Sequence, residues 1–262
     1  MKLNSSKMLL FICMFFLTVA ASAQKNLDKP FQNWSKSDAT KIVSDSGWAQ
    51  TYQSIAGSSS ALAQQIARES TQTANRGGGN PRSVERNLGP PPVVIRLHSA
   101  LPVRQALIRL QQIGAGYDKM SGDKKAEFDA STKGFLECAI CKNYYVVTLT
   151  QFTDASNQRV EEAIFQRFTL NDVKDNVYLI NDKGEKRELV QFTPPKGAGD
   201  SAIFFFARKD AQGNQFLTPD NKEFKFVFKD DFLTSRNPYA GLIPRNFEFK
   251  VSKITVSENL EF

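Results

Sequence analysis

His98 is the only histidine in the 262-residue chain. One imidazole cannot by itself supply a zinc site, which takes four nitrogen or sulfur ligands. It also leaves hydrolysis by a serine, a base and an orienting acid with a single possible base. Ser99 follows it directly, but neighbours on a continuing strand point to opposite faces. His98 therefore reads as a surface or capping residue. No G-x-S-x-G elbow, phosphate-binding loop or calcium-loop spacing occurs anywhere. Gly197-Ala198-Gly199-Asp200-Ser201-Ala202 copies the letters of the dinucleotide fingerprint. It opens a strand, however, where the fingerprint needs a helix N-terminus to receive the pyrophosphate. Glu161-Glu162 and Asp230-Asp231 are carboxylate pairs of a kind glycosidases use, yet adjacent residues diverge on a helix and are solvated in loops. No catalytic residue, metal ligand or cofactor is assigned.

Cysteine is nearly as scarce, with Cys13, Cys138 and Cys141 the full set. Cys13 lies inside an apolar run, so Cys138 and Cys141 have only each other, and a local disulfide is expected in an oxidising compartment. Three other uses of C-x-x-C compete. A thioredoxin-like couple wants its first thiol at the start of a helix after a strand, whereas this pair precedes a strand. Haem attachment wants a following histidine, and Lys142 stands there. Zinc would need two further soft ligands, with only His98 on offer.

Charge of one sign is modest. The chain carries a formal +7, and losing Lys2 and Lys7 with an N-terminal leader would reduce it by two, to +5. Cations alternate with acids, as in Lys183-Gly184-Glu185-Lys186-Arg187-Glu188. A nucleic-acid groove calls for clustered cations among aromatic platforms, so no nucleic-acid partner is expected. Long apolar runs are also lacking beyond the first residues. Those residues have the three parts of a secretory signal: Lys2 and Lys7, the apolar run from Met8 to Ala20, and Ala21-Ser22-Ala23 as the cleavage site. The sequence predicts a signal peptide over 1–23, a mature start at Gln24, and a periplasmic or extracellular address with no transmembrane segment in the mature chain.

What the chain does hold is phenylalanine, 21 of them. In Glu223-Phe224-Lys225-Phe226-Val227-Phe228-Lys229 the rings fall on every second residue, which puts all three on one face of a strand. The stretch from Val177 to Phe228 reads as two hairpins, Val177–Ile180 with Leu189–Phe192 and Ala202–Ala207 with Phe224–Phe228, the first turning at Asp182-Lys183-Gly184. Strands are also expected at Val93–Leu97, Tyr144–Thr150 and Phe247–Val251. The last changes phase at Ile254 and Val256, as a bulge near Ser252-Lys253 or a junction of two sheets would make it.

Helices are expected at four places, the last of them contested. Ser35-Lys36-Ser37-Asp38 is a capping box for a helix running to about Ser46 and stopped by Gly47, with Trp34 and Trp48 packing at its two ends. Val103, Ala106, Leu107, Leu110 and Ile113 form an apolar stripe from Pro102 to Ile113, with Arg104, Gln105, Arg109 and Gln112 opposite. A more polar helix follows over Gly122–Lys133, capped by Ser121, anchored by Phe128 and stopped by Gly134. A short helix over Asn157–Gln166 competes with a strand over Phe165–Leu170.

The organisation predicted is a helical arm over 24–49, a Ser/Gln/Gly/Pro-rich linker over 50–92, and a β-rich α+β domain over 93–262 with two helices inserted after its first strand. The fold expected is an antiparallel β-sandwich, with the immunoglobulin-like outline as the nearest pattern. The function expected is that of a secreted, non-catalytic module binding a protein, a glycan or an envelope surface. Tyr144, Tyr178 and Tyr239 are the candidate contacts. The alternatives are a thiol–disulfide oxidoreductase using Cys138 and Cys141, and a structural subunit of an envelope assembly.

Overall fold

A computed structural model of the chain describes residues 27–52, 92–151, 163–197, 199–229, 232–233, 243–256 and 259–262. The capping box forms as its residues dictate: Ser35 Oγ accepts from the Asp38 amide (3.1 Å) and the Asp38 carboxylate accepts from the Ser35 amide (3.0 Å). Helix α1, Lys36–Ser44, follows and ends at Asp45, short of Gly47. It lays Ala39, Ile42 and Val43 against Trp34 and Ala106. Trp34 and Trp48 are both buried.

The chain then adds a strand, β1, Ala49–Tyr52, where the sequence reading begins a linker. Strand β2, Val93–Leu97, is buried along its whole length. Helix α2, Leu101–Gly114, carries Pro102 in its first turn, where a missing N–H costs nothing. Helix α3, Gly122–Glu137, passes through Gly134, because Cys138 supplies the left-handed stop at φ 43°. No residue of α3 is buried, so the helix rests on the surface by its edges, Phe128 meeting Tyr117 at 5.5 Å between ring centroids.

Strand β3 spans Tyr144–Gln151. Residues 157–162 of the expected fourth helix lie outside the described residues. Ala163 to Phe168 form turns, with amide-to-carbonyl bonds from Gln166 to Ala163 and from Phe168 to Phe165, so neither the helix nor the rival strand is found there. Instead a single turn of helix, α4, covers Leu170–Val173, started by a Thr169–Asp172 capping box. The remaining strands are β4 (Val177–Asn181), β5 (Lys186–Thr193), β6 (Ser201–Ala207), β7 (Glu223–Phe228) and β8 (Asn246–Lys250). At the phase change after β8 a 3-10 turn over Val251–Lys253 hands the chain to a separate two-stranded ribbon, β9 (Thr255–Val256) with β10 (Asn259–Leu260).

The eight longer strands make one antiparallel sheet in the order β1-β2-β3-β6-β5-β4-β7-β8. The sandwich of immunoglobulin-like outline is therefore not confirmed; the sheet curls on itself until it is nearly a barrel. Its two edge strands meet where the Gln50 side-chain amide donates to the Glu248 carbonyl oxygen. Gly47 makes the approach possible, since a Cβ there would sit 2.1 Å from the Lys253 carbonyl oxygen. No backbone ladder joins β1 to β8 among the described residues, so this side-chain contact covers part of an edge that would otherwise recruit neighbours.

The first expected hairpin is present, β4 with β5, and Gly184 has the positive φ (80°) its turn requires. The second is not. β6 pairs with β3 and β5, while β7 pairs with β4 and β8, so the β4–β5 hairpin is wedged between the two strands that were expected to join. Polar side chains fix that arrangement. Asn221 donates to Asp182 (2.8 Å) and Asn181 to the Phe216 carbonyl (2.9 Å), tying the β6–β7 connection across the tip of the hairpin.

The interior is aromatic. Phe224, Phe226 and Phe228 are at most 1% exposed, and Phe204, Phe206, Phe249 and Phe262 join them in one core. Burying each ring favours the fold by about 2 kcal/mol before the entropy of ordering is counted. Phe262 is sandwiched between Tyr145 (4.5 Å) and Phe224 (4.7 Å). Among the described residues no helix is long and apolar enough to cross a membrane.

Candidate functional site

The polar face of α2 is where the sequence reading and the structure part most sharply. Arg104, Arg109 and Gln112, expected to face water, are all buried. Arg109 donates to the Trp34 carbonyl (2.8 Å) and forks onto both oxygens of Asp118 (2.9 and 3.0 Å), joining the segment before α1 to α2 and to the turn that follows it. Gln112 is fully enclosed, and its amide has no hydrogen-bond partner among the described residues.

Arg104 reaches the other way, to the start of α2 and the end of α3. It donates to the carbonyls of Leu136 (3.0 Å), His98 (3.2 Å) and Ser99, and its Nη1 lies 3.8 Å from Cys141 Sγ. Cys138 and Cys141 are joined by a disulfide, with Cα atoms 5.3 Å apart. The bridge packs on the sheet face opposite the aromatic core, against Val146 and Phe205 with Tyr144 and Ile203 alongside. Cys141 is buried and Cys138 half-buried. A second cation, Arg208, donates to the Cys141 carbonyl (2.8 Å) and to the Phe262 carbonyl, and lies over the Tyr145 ring at 4.5 Å.

Burial pulls the guanidinium pKa of Arg104 and of Arg208 down from its usual range. No carboxylate contacts Arg104 at ion-pair distance among the described residues; Glu261 acts on it only through space.

His98 sits at the same end, half-buried, with the Phe135 ring edge-on at 5.1 Å. Burial first, then the positive charge of Arg104 and Arg96, holds its pKa down at about 4. An imidazole in that setting is neutral at pH 7 and a weak base. Ser99 is tied to Val146 and not to the imidazole: its Oγ accepts from the Val146 amide (3.0 Å) and donates to the Val146 carbonyl (3.5 Å). Among the described residues no group of three or more His, Cys, Asp or Glu side chains could hold a metal ion.

The candidate contact tyrosines scatter. Tyr144 is half-buried beside the disulfide, edge-on to Phe205. Tyr178 lies away on β4, with Lys186 Nζ over its ring at 4.8 Å. Tyr239 lies outside the described residues, as do Glu161-Glu162 and Asp230-Asp231.

Arg104, Arg208, Phe135 and Ile140 were not singled out from the sequence. For Arg104 a signal existed. Leu101–Gly114 holds two arginines and three glutamines but no acid, whereas a helix face meant for water mixes both signs. Phe135 and Ile140 carried none, since single exposed apolar residues are ordinary. No family model, curated protein or solved structure matches the chain.

Proposed function

We propose that the protein is a secreted, non-catalytic module that binds a partner protein through the disulfide end of its sheet. One observation carries this reading. Of the five large apolar side chains exposed among the described residues, Leu101, Phe135 and Ile140 flank the one small region that Arg104 ties together. Leu101 begins the helix that bears Arg104, Phe135 meets His98, and Ile140 lies between the two cysteines. Scattered apolar residues need no explanation, but a cluster of them is characteristic of a protein contact. A glycan would want open aromatic faces with polar groups beside them, whereas Tyr144 is half-buried against Phe205 and the Tyr178 ring carries Lys186 over it. The secreted address rests on the signal-like residues 1–23, and N-terminal sequencing of the exported chain would read Gln24 first.

Photo-crosslinking in the native host tests the contact. A probe at Ile140 is expected to yield a discrete protein adduct that Phe135→Glu abolishes, while a probe at Val190, which is 45% exposed on β5, yields none. Adducts equally abundant at both positions, or absent from position 140, would refute the reading.

A further inference from the structure

The same end of the molecule holds an asymmetry that a merely structural bridge does not need. Cys138 is half-buried and Cys141 buried, so of the two residues Cys138 is the more open to an incoming thiolate. Cys138 terminates α3, where the negative end of the helix dipole disfavours a thiolate. Cys141 has the Arg104 guanidinium at 3.8 Å. That cation is buried, its other contacts are neutral carbonyls, and no carboxylate pairs with it among the described residues. Glu261 offsets that charge only through space and Arg208 adds to it, so a buried cation with no direct counter-ion stands beside Cys141, and a thiolate there would pair with it at contact distance.

From these placements we infer that Cys138–Cys141 is a thiol–disulfide exchange site with a fixed polarity: Cys138 is the sulfur attacked, Cys141 the sulfur expelled, and Arg104 the cation that receives it. The reductant is a dithiol. One of its thiolates bonds to Cys138 Sγ, the Cys138–Cys141 bond breaks, and the electron pair leaves on Cys141 Sγ beside Arg104. The second thiolate of the dithiol then attacks its own sulfur in the mixed disulfide and expels Cys138 as a thiolate, which takes a proton from water. Two electrons pass to the protein, and the dithiol becomes a disulfide. A leaving thiol of lower pKa departs faster, which is the effect of Arg104. One such exchange is a single turnover and stands whether or not a protein docks on Phe135 and Ile140.

The test uses the full chain, oxidised and folded. Reduction by dithiothreitol at pH 7, followed by alkylation and mass spectrometry, should open the bridge while circular dichroism stays native. Brief exposure to glutathione should leave the mixed disulfide on Cys138. Arg104→Gln should slow reduction by about tenfold, and Arg104→Lys should restore most of the rate. The inference fails if the bridge opens only on global unfolding, if glutathione is found on Cys141, or if Arg104→Gln is reduced as fast as the parent. The glutathione position is read on the unaltered protein, so it decides the polarity even where Arg104→Gln does not fold.

Discussion

Placing His98 between the Phe135 ring and two buried arginines makes its neutrality a property of the fold. The unfolded chain takes up that proton as pH falls through about 6.5, whereas the folded chain resists it down to about 4. Folding is therefore opposed by protons across that window, and stability is full above pH 6.5 and declines as the pH drops to 4. The loss should reach about 3 kcal/mol at 1.36 kcal/mol per pKa unit. Urea denaturation at pH 7 and at pH 4 would measure it, and His98→Gln should remove this share of the difference. An unchanged pH dependence in the variant would mean that the imidazole is hydrated in the fold.

Among the elements, α3 stands apart because it buries none of its 16 residues. Helical stability in proteins comes mostly from a packed face, and α3 has little of one. Its amides should accordingly exchange with deuterium well before those of β3 and β6, which pair along seven residues over the aromatic core. Exchange of α3 as slow as the sheet's would show that something covers it. The sequence announced most of these elements, and the reasons are local. Rings at every second position from Phe224 to Phe228 can share a face only as a strand, and Ser35 with Asp38 can answer each other only at a helix start. What stayed hidden depends on distant residues. Whether β6 meets β7 is settled by Asn221 and Asn181 gripping the far hairpin, and no periodicity encodes that. The burial of Arg104 and Arg109 was missed for a related reason: amphipathic spacing tells which side of α2 is polar, not whether other segments cover it. The disulfide was legible from cysteine count alone, but the cation facing it was not.

At the scale of the molecule, the sheet depends on a seam where its first and last long strands approach. Gly47→Ala would set a methyl group within 2.1 Å of the Lys253 carbonyl oxygen unless the backbone moves. The seam should open, at a cost of about 3 kcal/mol, readable as a lower denaturation midpoint. Gly114→Ala, where an added Cβ meets nothing within 4 Å, is the matched control and should be neutral or slightly stabilising. Equal stability of the two variants would mean that the seam is looser than the structure shows.

The seam also sets an order of events. Gln50 and Glu248, which meet there, are 198 residues apart in the chain, so a ribosome delivers one lip of the seam long before the other. Contacts between such distant residues are slow to form, because a long loop must close first. Until Glu248 arrives, β1 waits with one side bare, open to pairing with another nascent copy. Crowded synthesis should therefore favour intermolecular strand exchange, and a chaperone sheltering that early strand would have the most to contribute.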